Sequence, residues 1–240
     1  DPFPLVAGRG IRKLKEAGVD VKVGVLEEEC KALIKRFVTQ NISKRPYITL
    51  KWAQSADGFI DVERTSGQPV VLSTPITSMY VHKQRAEHQA ILVGRRTALL
   101  DNPSLTVRNW YGKNPLRLVI DKDLSLPAGL KLFDRSVPTV VFTAREAASE
   151  PNLTYVQLDF SQDILPQIMN ELIERKIQTL LVEGGSCLLQ SFLDEELWDD
   201  IFIEHSAQIL RQGVAAPAVK KGYPCDYELR DSICVSHYYR

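Results

Sequence analysis

From Tyr47 onward, short apolar runs alternate with longer stretches of helical periodicity. The runs are Tyr47 to Ala53, Gln89 to Val93, Arg117 to Ile120, Thr139 to Phe142, Leu153 to Leu158, Thr179 to Val182 and Ile201 to Glu204. Runs of this length, set between helical patterns, predict an α/β domain around a mostly parallel sheet. Two helix starts can be read directly. Ser73-Thr74-Pro75 offers an N-cap followed by proline for a helix over Ile76 to Ala86, and Glu183-Gly184-Gly185-Ser186 leads into Cys187 to Leu193. Upstream, residues 9 to 38 read as a helix, a short strand over Val19 to Val23 and an amphipathic helix over Leu26 to Phe37, too small a unit to stand alone. The polar segment Asn41 to Pro46 ends in proline and marks a boundary, so an appendage of residues 1–45 and a main domain of residues 46–240 are expected.

The bulk properties narrow the function. A chain of 240 residues, 44% hydrophobic, can bury a substantial core. Thirty basic residues balance thirty acidic ones, which points away from nucleic acid and membrane surfaces and toward small molecules or other proteins. No apolar run approaches the roughly 20 residues that span a bilayer, and the start lacks signal-peptide form. Cys30, Cys187, Cys225 and Cys234 are scattered without a C-x-x-C pair, which suits a reducing cytoplasm. With no initiator Met and a first segment that begins mid-pattern, the chain is expected to be part of a longer polypeptide.

In a parallel α/β sheet, ligands bind where strands end and helices begin, so chemistry is sought at those junctions. At Leu181 to Ser186 a strand passes through Gly184 and Gly185 into a helix. This is either a nucleotide phosphate clamp, with Glu183 on a ribose hydroxyl or base edge, or an ordinary tight turn; the full G-x-G-x-x-G is absent. A second junction, Ile91 to Thr97, brings Gly94, Arg95, Arg96 and Thr97 together. Its arginines either meet the 2′-phosphate that distinguishes NADPH or are solvated, and the stretch resembles the cofactor-binding turn of dihydrofolate reductases. Arg85 and Arg108 are two guanidinium forks suited to a phosphorylated substrate, although an arginine late in a helix, as Arg85 is, is by default a surface charge. Lys51 interrupts an apolar strand: it either faces solvent or lines a site. Asp57-Gly58 after it forms a turn whose amides the aspartate holds. No H-E-x-x-H, P-loop or G-x-S-x-G occurs, no His and Cys cluster suggests a metal, and His82, His88, His205 and His237 read as structural or solvated.

In order along the chain, the Lys51 to Gly58 strand end, the Arg85 helix, Asp-Asn-Pro-x-Leu-Thr-x-Arg at 101–108 and Val-Glu-Gly-Gly at 182–185 resemble one family. It is the bifunctional riboflavin-biosynthesis deaminase-reductase, in its C-terminal reductase half, and the resemblance runs from residue 46 to about 220. Residues 1–45, with Pro4 to Ile11 and Ala17 to Val19, resemble the closing segment of that family's cytidine-deaminase-like domain. The resemblance implies a dihydrofolate-reductase-like fold, a homodimer, and NADPH-dependent reduction of 5-amino-6-(5-phosphoribosylamino)uracil to its ribitylamino form. It implies cofactor contacts at Ala53, Val71, Gly94, Thr97, Asp101, Lys122, Gly184, Gly185 and Ser186, and substrate contacts at Pro69, Arg85, Leu105, Arg108 and Glu183. Lys51 would stand near the sugar carbonyl or imine, polarising it or donating a proton as hydride arrives.

The chain also departs from the family pattern. Pro69-Val70-Val71 replaces Ser-x-Trp, Lys122 replaces a serine, and Ile209-Leu210-Arg211-Gln212-Gly213 replaces a Leu-Gly-Gly turn. The deaminase zinc motif is absent, so this chain does not deaminate by that mechanism. Two other readings stand beside the first: a dihydrofolate or pterin reductase, supported by Gly94 to Thr97, and a non-catalytic nucleotide-binding module in which Pro69 and Val71 mark lost chemistry.

Overall fold

The computed structural model describes residues 8–65 and 67–240. Pro4 to Ala7 of the deaminase-like preamble lie outside the described residues. Among the described residues, nine strands form one sheet in the order β10-β11-β8-β1-β7-β3-β4-β5-β6. Seven of them are parallel: β1 (Tyr47–Gln54), β3 (Ala90–Gly94), β4 (Leu116–Ile120), β5 (Thr139–Thr143), β6 (Leu153–Gln157), β7 (Thr179–Glu183) and β8 (Asp200–His205). Hairpin β10 (Cys225–Arg230) and β11 (Ile233–Tyr239) adds an antiparallel edge against β8. A small ladder pairs β2 (Phe59–Asp61) with β9 (Val214–Ala215). The α/β class and mostly parallel sheet are as the alternation of runs predicts.

Helices cover both faces, which is why the central strands read as continuous apolar runs. Alternate residues go to opposite sides. Leu92, Leu118, Phe142 and Val182 pack with α6 (Ile164–Glu174) and α7 (Ser186–Asp194); Ile91, Val93, Val119, Val141 and Leu181 pack in a second cluster with Ala98 of α5 (Arg95–Asp101). Helix α4 (Pro75–Glu87) starts as its sequence dictates: Thr74 Oγ1 accepts the Thr77 N–H, and Thr77 Oγ1 accepts the Thr74 N–H. The β1 face under α4 is polar, with Thr49 and Lys51 on it. His88, just past α4, closes against Thr49: its Nδ1 donates to the Gln84 carbonyl at 2.6 Å, and its Nε2 accepts the Thr49 hydroxyl at 2.9 Å.

Two upstream expectations are corrected. Val19 to Val23 forms no strand: no neighbouring strand pairs with it, and Val19 and Val23 are exposed. The second helix is broken at Ile34 into α2 (Glu27–Leu33) and α3 (Lys35–Ser43), after α1 (Arg9–Glu16). Helix α3 thus runs into the polar segment and stops at Lys44, in left-handed conformation, before Pro46 opens β1. It is tied to the sheet by Lys35 on Asp200 at 3.0 Å, while Arg45 meets Asp199 at 2.5 Å. No helix among the described residues is long and apolar enough to cross a membrane.

Candidate active site

The C-terminal ends of β1, β7, β3 and β4 open into a cavity of about 640 Å³. Because β3 and β7 are neighbours, their turns lie side by side. Gly184 has φ +133°, and a Cβ there would stand 3.0 Å from Thr97 Oγ1, so conformation and close approach both demand glycine. No side chain caps α7, which leaves its first N–H groups, at Gly185 and beyond, available to an anion at the cavity.

The wall above these turns is charged. Lys51 is 8% exposed, which removes the solvent-facing alternative. Register brings Glu183 of β7 directly beside it, and Nζ meets Glu204 Oε1 of β8 at 3.1 Å. Arg85 is half-buried rather than on the surface, its side chain 12% exposed. It grips Glu183 with two bonds, Nε to Oε1 at 3.1 Å and Nη2 to Oε2 at 2.7 Å. Burial works against ionisation of Glu183, but the Arg85 guanidinium, and after it Lys51, hold its carboxyl below the ordinary range. Behind this pair, His82 Nδ1 accepts the Arg108 N–H at 3.0 Å. Burial first, then the Arg85 and Arg108 charges, push His82 below the ordinary imidazole range.

The mouth is organised by the segment after β2. Arg64 donates to Asp61 at 2.6 Å, to the Gly67 and Leu100 carbonyls at 3.1 Å, and to Asp101, so this loop is pinned across the end of α5. Gln208 donates to the Val71 carbonyl at 2.8 Å and ties Pro69 to Ser73 to the segment after β8. At the opposite end stand three cations. Arg95 bonds Ser125 at 2.7 Å, Lys122 lies over the Phe160 ring, and Arg96 is exposed. Below the mouth, Asp57 accepts the Ser55 hydroxyl at 2.6 Å, but the amides its side chain holds are the Leu210 and Arg211 N–H groups of the segment after β8 rather than those of its own turn; these bonds, Ser55's foremost, keep its carboxyl below the usual range.

The cavity gathers Lys51, Ala53, Pro69, Val71, Gly94, Thr97, Asp101, Lys122, Glu183, Gly184, Gly185 and Ser186 from the sequence-derived set. Arg85, Leu105 and Arg108 are not among its lining residues. Arg85 is spent on Glu183. Leu105 sits in the second core cluster at 1% exposure, with φ +52°. Arg108 is exposed, its Nη1 donating to Thr106 Oγ1 at 3.1 Å. Arg64, Ser73 and Glu204 were not singled out from sequence; the first two belong to an irregular segment, and Glu204 looked like the end of a strand. Their one signal is charge or hydroxyl where strand and loop meet. Among the described residues no group of His, Cys, Asp and Glu could hold a metal.

Residues 46–225 match the model of the family described as RibD C-terminal domain. The chain is 37% identical over 220 residues to riboflavin biosynthesis protein RibD of Aquifex aeolicus, covering 90% of this chain and 61% of that protein. It is 34% identical over 231 residues to RibD of Bacillus amyloliquefaciens, covering 92% of this chain and 62% of that one. The chain therefore spans about three-fifths of these relatives' length. Among solved structures, a diaminohydroxyphosphoribosylaminopyrimidine deaminase/5-amino-6-(5-phosphoribosylamino)uracil reductase of Thermotoga maritima superposes with a TM-score of 0.87 at 33% identity, covering 100% of this chain and 69% of that one.

Proposed function

The chain belongs to the RibD C-terminal domain family, and from that premise we propose that it reduces 5-amino-6-(5-phosphoribosylamino)uracil to its ribitylamino form, with NADPH as reductant, in riboflavin biosynthesis. The observation that carries the reading is the buried Lys51 ammonium on the wall of a cavity whose floor is two glycine turns. Residues 1–45 are, on this reading, the closing segment of a deaminase domain, and the protein is a cytoplasmic homodimer.

The site's donor set fits NADPH. Gly184 and Thr97 leave backbone exposed where a Cβ would intrude, the start of α7 offers free N–H groups, and Arg95, Arg96 and Lys122 bring three cations to one end. An extra phosphate dianion needs such a partner, and Arg96, whose guanidinium is exposed, is assigned to it. NADPH, when bound, supplies the hydride; the chain's own residues do the rest. Gly94, Thr97, Gly184, Gly185 and Ser186 bind the cofactor, with Ala53, Asp101 and Val71 flanking it. Lys51 donates a proton to the sugar oxygen or nitrogen as the adjoining carbon is reduced, which stabilises charge as it develops. Glu183, kept anionic by Arg85, orients the substrate's hydroxyl or N–H groups. Arg108 is assigned to the substrate phosphate, because Arg85 is already paired, with Pro69 contributing a packing contact and Leu105, whose side chain is in the core, a main-chain one.

The test is NADPH oxidation, followed at 340 nm, on adding the deaminated phosphoribosylamino-pyrimidine, with dihydrofolate as comparison. Turnover with the pyrimidine alone supports the reading. Turnover with dihydrofolate alone makes the chain a pterin reductase, and NADPH binding without oxidation of either makes it a binding module.

A further inference from the structure

Glu204 has no part in the chemistry just described, yet it is the group that holds Lys51. We infer that Glu204, braced by Ser73, is a positioning residue that keeps the Lys51 side chain an ammonium and aims it into the cavity. The catalytic consequence rests on the proposed reduction; the electrostatic hold on Lys51 does not.

Two carboxylates flank Lys51, and they are not equivalent. Glu183 is its direct partner in register, but Arg85 already neutralises that carboxylate through both oxygens. Glu204 lies diagonally across on β8, opposite Ala53 and on the same face as Lys51. Its Oε1 meets Nζ at 3.1 Å, and its Oε2 accepts the Ser73 hydroxyl at 2.5 Å. Among the described residues no second cation pairs with Glu204. Without it, a nearly buried ammonium is left beside a carboxylate that is already compensated, and burial then favours the neutral amine. Conversely, Glu204 is 3% exposed, and a carboxylate so deep is stable as an anion only while its cation persists. The two charges therefore sustain each other.

Ser73 extends the arrangement to the mouth. It closes the Pro69 to Ser73 segment, which lines the cavity and is also tied down by Gln208 on the Val71 carbonyl. One carboxylate thus fixes both the lysine's direction and the end of the covering loop. The charged and titratable groups around Lys51 are Glu183, with Arg85 and His82 behind it on α4, Glu204 on β8, and Asp61 with Arg64 across the cavity. Of these, Glu204 is the anion in direct contact with Nζ and free of any other cation.

Glu204→Gln keeps the shape and removes the charge. In protein labelled with carbon-13 at lysine Cε, the Lys51 resonance, assigned by its loss in Lys51→Met, should titrate at least about one pH unit lower in Glu204→Gln than in the native chain. Glu204→Asp should return it toward the native midpoint. In NADPH oxidation, kcat of Glu204→Gln should fall about tenfold to a hundredfold, with the alkaline limb of its pH profile displaced in the same direction. KM for NADPH and pyrimidine should stay within about threefold. An unmoved Lys51 midpoint overturns the inference, as does a loss confined to KM with the alkaline limb in place. If Glu204→Gln fails to fold, Ser73→Ala decides: a smaller shift of midpoint and limb in the same direction supports the inference, and no shift overturns it. Should the native protein oxidise no NADPH with the pyrimidine, the functional reading falls, and the Lys51 titration alone still judges Glu204.

Discussion

Two buried cations in this chain, Arg117 and Lys51, sit on neighbouring parts of one sheet and do opposite things. Arg117, fully buried at the start of β4, spends every arm on the protein. Nε donates to Thr139 Oγ1 at 2.9 Å, Nη1 to the Lys131 carbonyl at 3.0 Å, and Nη2 to Asp134 at 2.9 Å and the Val137 carbonyl at 2.8 Å. It pins the Lys131 to Val137 loop to the sheet and has no donor left for a ligand. Lys51 contacts one carboxylate and otherwise faces the cavity. Burial alone therefore does not mark a functional charge. What separates the two is whether the protein has already used the group's hydrogen-bonding capacity, since a satisfied fork is structure and a held but unspent ammonium can act on what enters.

The widest separation of the pair comes from replacing each cation by methionine. Lys51→Met should lower kcat by about two to four orders of magnitude, about 3–5 kcal/mol on the barrier, while NADPH binding, measured by fluorescence titration, changes little. Full turnover in a folded, NADPH-binding Lys51→Met would end its proposed role. Arg117→Met should act the other way round. By stranding buried carbonyls and Thr139 it should cost about 3–5 kcal/mol in denaturant unfolding, with the rate per folded molecule retained. A loss below about 1 kcal/mol would mean that water or side-chain movement replaces the fork.

The same contrast explains how much could be read from sequence. The seven parallel strands were legible because each is a short apolar run, most of them set off by helical periodicity, and the two glycine turns because glycine is needed where backbones meet. Lys51 was legible only as an oddity: one strand cannot say which strands lie beside it, and its burial follows from β7 and β8. Arg85 read as a surface charge because Glu183, some hundred positions away, becomes visible only once α4 packs over β7. Arg64 and Ser73 lie in irregular chain without periodicity. The hairpin of β10 and β11 escaped because its outer strand is largely exposed and mixes Tyr227 and Leu229 with charged residues. Val19 to Val23 misled for the converse reason: it has strand alternation but no partner strand.

His88 belongs with Arg117 among the satisfied groups, and its titration offers a third comparison. Burial foremost pushes it down from 6.5 to about 4. Because the folded value lies below the unfolded one, unfolding takes up a proton between them. Stability is thus unaffected by His88 above about pH 6.5, falls as pH drops toward 4, and levels off below it. The loss integrates to on the order of 3 kcal/mol. His88→Gln, which can keep both a donor and an acceptor there, should flatten that part of the stability profile. An unaltered slope between those limits would assign it to carboxylates instead.

On the open side of the comparison, the smallest effect is expected at the cavity floor. Gly184→Ala adds one methyl where φ is +133° and Thr97 Oγ1 stands 3.0 Å from the new Cβ. Backbone strain alone should cost about 1–3 kcal/mol of stability. Thr97 cannot retreat freely, because it sits in the first turn of α5, so the two turns must separate or shift. Either movement disturbs the surface assigned to NADPH while leaving Lys51, on the adjoining strand β1, in its pairing with Glu204 of β8, on the side of β1 away from β7. The expected signature is a raised KM for NADPH with kcat at saturation nearly kept, the inverse of Lys51→Met. Thr97→Ser in the same background, by removing the Thr97 methyl beside the new group, should recover part of the affinity. If Gly184→Ala instead lowers kcat at unchanged KM, the glycine turns are supporting the lysine's wall and not the cofactor, and the division of the cavity into a binding floor and a reacting wall is wrong.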